Sequence, residues 1–259
     1  MIKFNLSIIQ KISFAGILIV LVMVCQKVFA INYIAAIPFV RVSFCGPALI
    51  MFASILLGPW FGLLVGAASD LLGFLIFDPK MFGSLPFFQI TLIYALLGFA
   101  SYYVFQLVFQ IKSKRIMALI EGLVFLALII GITLFVCLND GIRLYSSTYT
   151  FTPFLRIFIP FFAFILLSLV FIFASVLDKR ISNKDNPISI YHISFAAFIL
   201  EMVVMIIFGT AMKTWAFGSA SFLGILVSQI LVAFFNIALN TFFLYYIIDI
   251  SKKLIRSRK

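Results

Sequence analysis

The chain has 259 residues, of which 65% are hydrophobic and 10% charged, with 19 Lys and Arg against eight Asp and Glu, a net charge of +11 and a mean hydropathy of +1.26. That composition excludes a soluble globular domain and identifies a polytopic membrane protein. In a soluble chain the basic balance would raise the question of nucleic acid; here it suits an anionic inner leaflet, and no nucleic-acid partner is expected.

Apolar stretches of roughly 17 to 25 residues are long enough to cross a bilayer. They fall near 12–37, 45–58, 59–77, 87–110, 116–138, 157–177, 188–210 and 222–248, the second being the weakest. The expected fold is an all-α integral membrane protein, a bundle of about eight transmembrane helices. With the N-terminus inside, the inner segments hold Lys3, Lys11, Lys112, Lys114, Arg115, Lys179, Arg180, Lys184, Lys252, Lys253, Arg256, Arg258 and Lys259. The outer segments hold only Arg41, Lys80, Arg143, Arg156 and Lys213, with Lys27 near the outer end of the first span. Basic residues accumulate in cytoplasmic loops, so both termini are expected in the cytoplasm and the chain in the plasma membrane.

The first span follows Lys3 and Lys11 and precedes Val28-Phe29-Ala30, a pattern shared with signal peptides. Its apolar run is longer than a signal core, so a retained helix is expected. Cys25, Cys45 and Cys137 show no metal-ligand spacing and read as small buried hydrophobes. From the end of the second span into the third, Gly58, Gly62, Gly66 and Asp70 recur every fourth residue, with Gly73 three further on, so a helix lines them along one stripe. Small residues let backbones approach closely in lipid, where no hydrophobic force drives helices together, so the glycines read as packing positions. A carboxylate such as Asp70 near the bilayer middle costs on the order of 3 kcal/mol and faces a partner or a wet cavity.

Glu121 lies one to two turns from the inner end of its span and is read as snorkelling to the headgroups. His192 falls at the inner headgroup level and is read as interfacial. Glu201 and Asn236 lie at similar depth in the antiparallel seventh and eighth spans, and a hydrogen bond between them is expected. Gln229 and Asn240 share the helix of Asn236, which puts part of that face inside the bundle.

Enzyme signatures are missing. The sequence has no G-x-S-x-G elbow, no H-E-x-x-H zinc pair, no intramembrane aspartate pair and no Walker motif, so no catalytic residue, metal or cofactor is expected and any ATP-driven work belongs to another chain.

The segments Arg41-Val42-Ser43-Phe44, Leu57-Gly58-Pro59, Gly62, Gly66, Asp70-Leu71-Leu72-Gly73, Pro86-Phe87-Phe88 and Thr91 together resemble, in order and spacing, the substrate-binding S components of energy-coupling factor (ECF) vitamin transporters, nearest the folate-type branch. The resemblance covers residues 10 to 105. Two features depart from the family. The Ala-x-x-x-Ala patch that docks the family's first helix on the transmembrane T subunit has as its counterpart Ala15, Gly16 and Ile19, and the family core has six spans rather than eight. Arg156 and Pro160 are similar to the opening of the family's last helix, whereas Thr214-Trp215 and Asn236 are similar to features of its last two. The expected division is a six-helix S-component-like core at 1–185 with two added helices and a basic tail at 186–259; the alternative makes 111–185 the insertion.

The resemblance implies a vitamin-like solute captured in an outward-facing pocket, a T subunit, and two ATPase subunits that drive the S component to topple in the bilayer. It assigns solute binding to Arg41, Ser43, Phe44, Asp70, Phe88, Gln89, Thr91, Arg156, Lys213 and Trp215. The outer cations, with Phe44, Phe82, Phe87, Phe88, Tyr145, Tyr149 and Trp215, suit a flat, anionic solute such as folate. Read as residues alone, the same aromatics equally suit interfacial anchoring. The other reading is a self-contained secondary transporter or channel using Asp70 and Glu201 as a proton or ion relay, although no inverted repeat is visible.

Overall fold

The computed structural model describes residues 6–28, 45–77, 88–144, 147–181, 189–217 and 222–256. The elements are α1 (Ile8–Lys27), α2 (Gly46–Leu57), α3 (Pro59–Phe77), α4 (Phe88–Val108), α5 (Lys114–Leu138), the hairpin β1 (Gly141–Leu144) and β2 (Ser147–Thr150), α6 (Pro153–Ile181), α7 (Ile190–Leu200), a π-helical segment Glu201–Phe208, α8 (Gly209–Phe217) and α9 (Phe222–Arg256). The last three helical pieces before α9 run on as one rod. Among the described residues six helices are long and apolar enough to cross a membrane, and the fold is that of an all-α membrane protein carrying, among those residues, one small antiparallel hairpin. The hairpin is not foreseen by the apolar pattern, because Gly141–Thr150 lies between spans.

Local chemistry sets the helix starts. Ser7 and Gln10 form a reciprocal capping box, satisfying amides that the first turn leaves open, so α1 begins four residues ahead of the expected span. Ser113 and Ser189 cap α5 and α7. Large apolar side chains such as Ile17, Leu64, Leu134 and Ile172 point outward. This is the arrangement expected where the surrounding medium is lipid rather than water.

The second expected span behaves differently from the others. At 12 residues α2 is about 18 Å long, short of the roughly 30 Å hydrocarbon core, and all of its residues except Leu56 are buried. It folds back on α3 across a one-residue break at Gly58, whose φ of 103° lies in the left-handed region that side chains avoid. A Cβ at Gly58 would meet nothing within 4 Å. Gly58 therefore serves the turn and not helix packing, contrary to the expectation from the ladder.

The other glycines do pack. A Cβ on Gly62 would lie 2.6 Å from the Gly98 carbonyl oxygen and 2.7 Å from Ser54 Cβ, and one on Gly66 would run into the Tyr94 carbonyl. Gly73 faces Lys27, whose Cε would be 3.3 Å away. α3 thus presses its backbone on α4 through Gly62 and Gly66, and leans on α1 through Gly73. The α7–α8 rod and α9 hold the centre, both mostly buried. Helices α1 to α4 pack on one another and on this pair, whereas α5 and α6 pack mainly on each other and on α7 and α9. Phe125 of α5 stacks on Phe234 of α9 at 5.0 Å and meets Phe198 of α7 edge-on.

Candidate functional site

The ladder on α3 leads to Asp70. Gly62 opposes Gly98 and Gly66 opposes Tyr94, so the antiparallel register brings Asp70 to the first turns of α4, where Thr91 Oγ1 donates to Asp70 Oδ2 at 2.6 Å. That length is typical of a hydroxyl bound to a carboxylate. Gln89, two residues earlier, is buried.

The same end of the bundle receives α8. Trp215 packs edge-on against Phe88, with ring centroids 5.3 Å apart and planes at 89°, and both rings stay more than half exposed. Lys213 Nζ donates to Gln229 Oε1 on α9 at 2.8 Å. Asp70 and Thr91 thus join α3 to α4, and Phe88 and Trp215 join α4 to α8. Lys213, two residues before Trp215 on α8, turns instead to Gln229 on α9 and lies near enough to Glu201 for their charges to interact.

Arg156 does not join them. It stands in the first turn of α6 and pairs with Asp140 beside the hairpin at 3.0 Å, well exposed. Arg41, Ser43 and Phe44, together with Lys80, Phe82, Phe87 and Tyr145, lie outside the described residues. On α1, Ala15 is turned into the chain's own core and Ile19 packs against that core, while Gly16 has open space around it.

Deeper in the bundle, Asn236 Nδ2 donates to Glu201 Oε1 at 2.8 Å, both residues buried. This is the bond expected from their matching depth. Glu201 Oε2 and Asn236 Oδ1 have no hydrogen-bond partner among the described residues, although the charge of Lys213 is near enough to act on Glu201, and Glu201 opens the π-helical segment, a distortion frequent at functional positions in helices.

Three features escape the sequence reading. Glu121 does not snorkel: it is 2% exposed and accepts from Ser194 Oγ at 3.0 Å. The signal was its place on the stripe Met117, Glu121, Phe125, Ile129, Ile132, Val136, which is the buried face of α5. His192 is covered by the chain, with Nε2 2.9 Å from the Ile111 carbonyl oxygen in the α4–α5 turn, so its place near a span end holds while its side chain is buried. Of the cysteines, Cys137 is exposed, and Cys25 and Cys45 are half-buried side by side.

Among the described residues no group of three or more His, Cys, Asp or Glu side chains is placed to hold a metal. Comparison of the chain with family profiles, curated proteins and solved structures gives no match.

Proposed function

We propose that this protein is the substrate-binding subunit of an ATP-driven, ECF-type micronutrient uptake transporter, taking a flat, anionic, vitamin-like solute such as folate from outside the cell. In this reading the chain crosses the plasma membrane eight times with both termini in the cytoplasm, α2 being a short buried passage. The T subunit and two ATPase subunits are separate chains, and this chain carries no catalysis of its own.

The observation that carries the reading is the junction formed by the Asp70–Thr91 hydrogen bond and the Phe88–Trp215 ring contact, with Lys213 nearby on the helix of Trp215. The glycine contacts of α3 with α4 hold the first part of that junction, and the residues occur in the order of the S-component resemblance. Stacking on ring faces combined with ionic recognition is the chemistry a flat, charged heterocycle needs. The packing of α1 to α4 with α7 to α9 favours 111–185, rather than 186–259, as the pair added to a six-helix core. Arg156 then belongs to the added pair. The T subunit would meet α1 on its open face around Gly16, since Ala15 is engaged within the chain.

The experiment is mass spectrometry of the small molecules and proteins that co-purify with the chain in detergent. A flat vitamin together with T and ATPase subunits supports the proposal. A chain without them, transporting solute in vesicles with an imposed ion gradient and no ATP, overturns it. That second outcome would favour a secondary transporter, for which the buried Glu201–Asn236 pair on a π-helical turn is the specific support.

A further inference from the structure

Cys25, in the last turn of α1, and Cys45, immediately before α2, place their Sγ atoms 2.9 Å apart, with the Cys45 thiol donating to Cys25. Their surroundings hold the two helix ends together. Gln26 is buried, and its side chain lies so close to Gly46 that a Cβ there would sit 2.5 Å from Gln26 Cγ. Cys45 is also the one non-glycine residue with positive φ, 45°, among the described residues, a conformation that L residues avoid. It occupies a helix N-cap without its thiol bonding the helix amides, where Ser, Asp or Asn ordinarily would. Its side chain is committed to Cys25 instead.

We propose that Cys25 and Cys45 are an oxidisable thiol pair that closes into an intramolecular disulfide, stapling the end of α1 to the start of α2. The sulfurs must approach by less than about 1 Å to bond. The oxidant is a small-molecule disulfide. Cys45 is the donor and Cys25 the acceptor of the S–H···S bond, and with Cys25 as the attacking sulfur its thiolate displaces one small thiolate and forms a mixed disulfide. Cys45 then gives up its proton and attacks Cys25 Sγ, expelling the second thiolate. The two cysteine protons end on the two thiols released, and the two electrons have reduced the oxidant. Both cysteines are half-buried, so a small reagent reaches them, and the exposed Cys137 supplies an internal reference. The inference is independent of which solute the protein carries.

The test uses the full chain in detergent micelles, incubated with oxidised glutathione, then denatured, alkylated with N-ethylmaleimide and weighed intact. The reduced chain should carry three maleimides, matching its three cysteines. The oxidised chain should lose maleimide from both Cys25 and Cys45, retain no glutathione on either, and melt roughly 5 °C higher because the staple restricts the unfolded chain. Cys45→Ser should stop at the mixed disulfide on Cys25. Three maleimides after oxidation, glutathione persisting on Cys25 of the native chain, or a dimer linked through Cys25 or Cys45 rather than the exposed Cys137 would each overturn the proposal, and the native-chain masses decide it even if the variant does not fold.

Discussion

Asn236 on α9 reaches across to α7 and the π-helical segment and donates its amide to Glu201 Oε1 at 2.8 Å, tying together the two most buried long helices of the bundle. The bond leaves one oxygen of each side chain without a partner among the described residues. An unsatisfied buried polar group costs about 1 to 3 kcal/mol, and buried hydrogen bonds between membrane helices contribute about 0.6 kcal/mol on average. Replacing Asn236 by leucine strands the carboxylic group, so N236L should melt lower in detergent than the double variant E201L/N236L. E201Q should stay close to the native protein because an amide oxygen still accepts from Asn236. A double variant that loses the sum of the two single losses would show that the residues do not act as a pair.

The glycine ladder makes a graded prediction. Gly66→Ala drives a methyl group into the Tyr94 carbonyl and should cost about 1 to 3 kcal/mol through overpacking. Gly58→Ala meets no neighbour but is strained at its positive φ, with a cost on the order of 1 to 3 kcal/mol. Gly16→Ala has space around it and should gain up to about 1 kcal/mol, because alanine suits a helix interior better than glycine. Melting midpoints of the three variants should fall in the order Gly16→Ala above native and the other two below. A native-like Gly66→Ala would remove the close approach of α3 and α4 from the description.

Glu121 separates a buried from a snorkelling carboxylate. A side chain that reaches the headgroups tolerates lysine, which snorkels further. One sealed between α5 and α7 beside Ser194 does not. Folded yield should collapse for Glu121→Lys and persist for Glu121→Gln; equal yields would return Glu121 to the interface.

At the proposed solute site, Thr91→Val removes the hydroxyl that donates to Asp70, and Trp215→Ala removes an exposed ring face. Each should reduce the small molecule retained on purification by tenfold or more while folded yield changes little. Arg156→Ala breaks a solvent-exposed ion pair with Asp140 and a long hydrogen bond to the Asn139 carbonyl and should leave retention unchanged, since such surface pairs contribute little. Loss of retention in Arg156→Ala would move the site toward the hairpin.

The sequence alone determined the membrane character, the places of the helices and the depth match of Glu201 with Asn236, because twenty apolar residues in lipid must hydrogen-bond internally and a helix advances a fixed distance per residue. It also located the stripe of Gly62, Gly66 and Asp70, since a four-residue spacing keeps to one helix face. Only the tertiary structure decided what each stripe touches. In lipid both the inner and the outer face of a helix are apolar, so hydropathy does not show which side is buried. That ambiguity is why Glu121 reads as a headgroup residue from sequence alone, while spacing alone cannot show that Gly58 sits at a break in the helix rather than in its stripe. Partners far apart in the chain, such as Cys25 with Cys45 and Phe88 with Trp215, follow from the direction and register of helices packed against one another, and that register comes from backbone contacts such as those of Gly62 and Gly66 with α4.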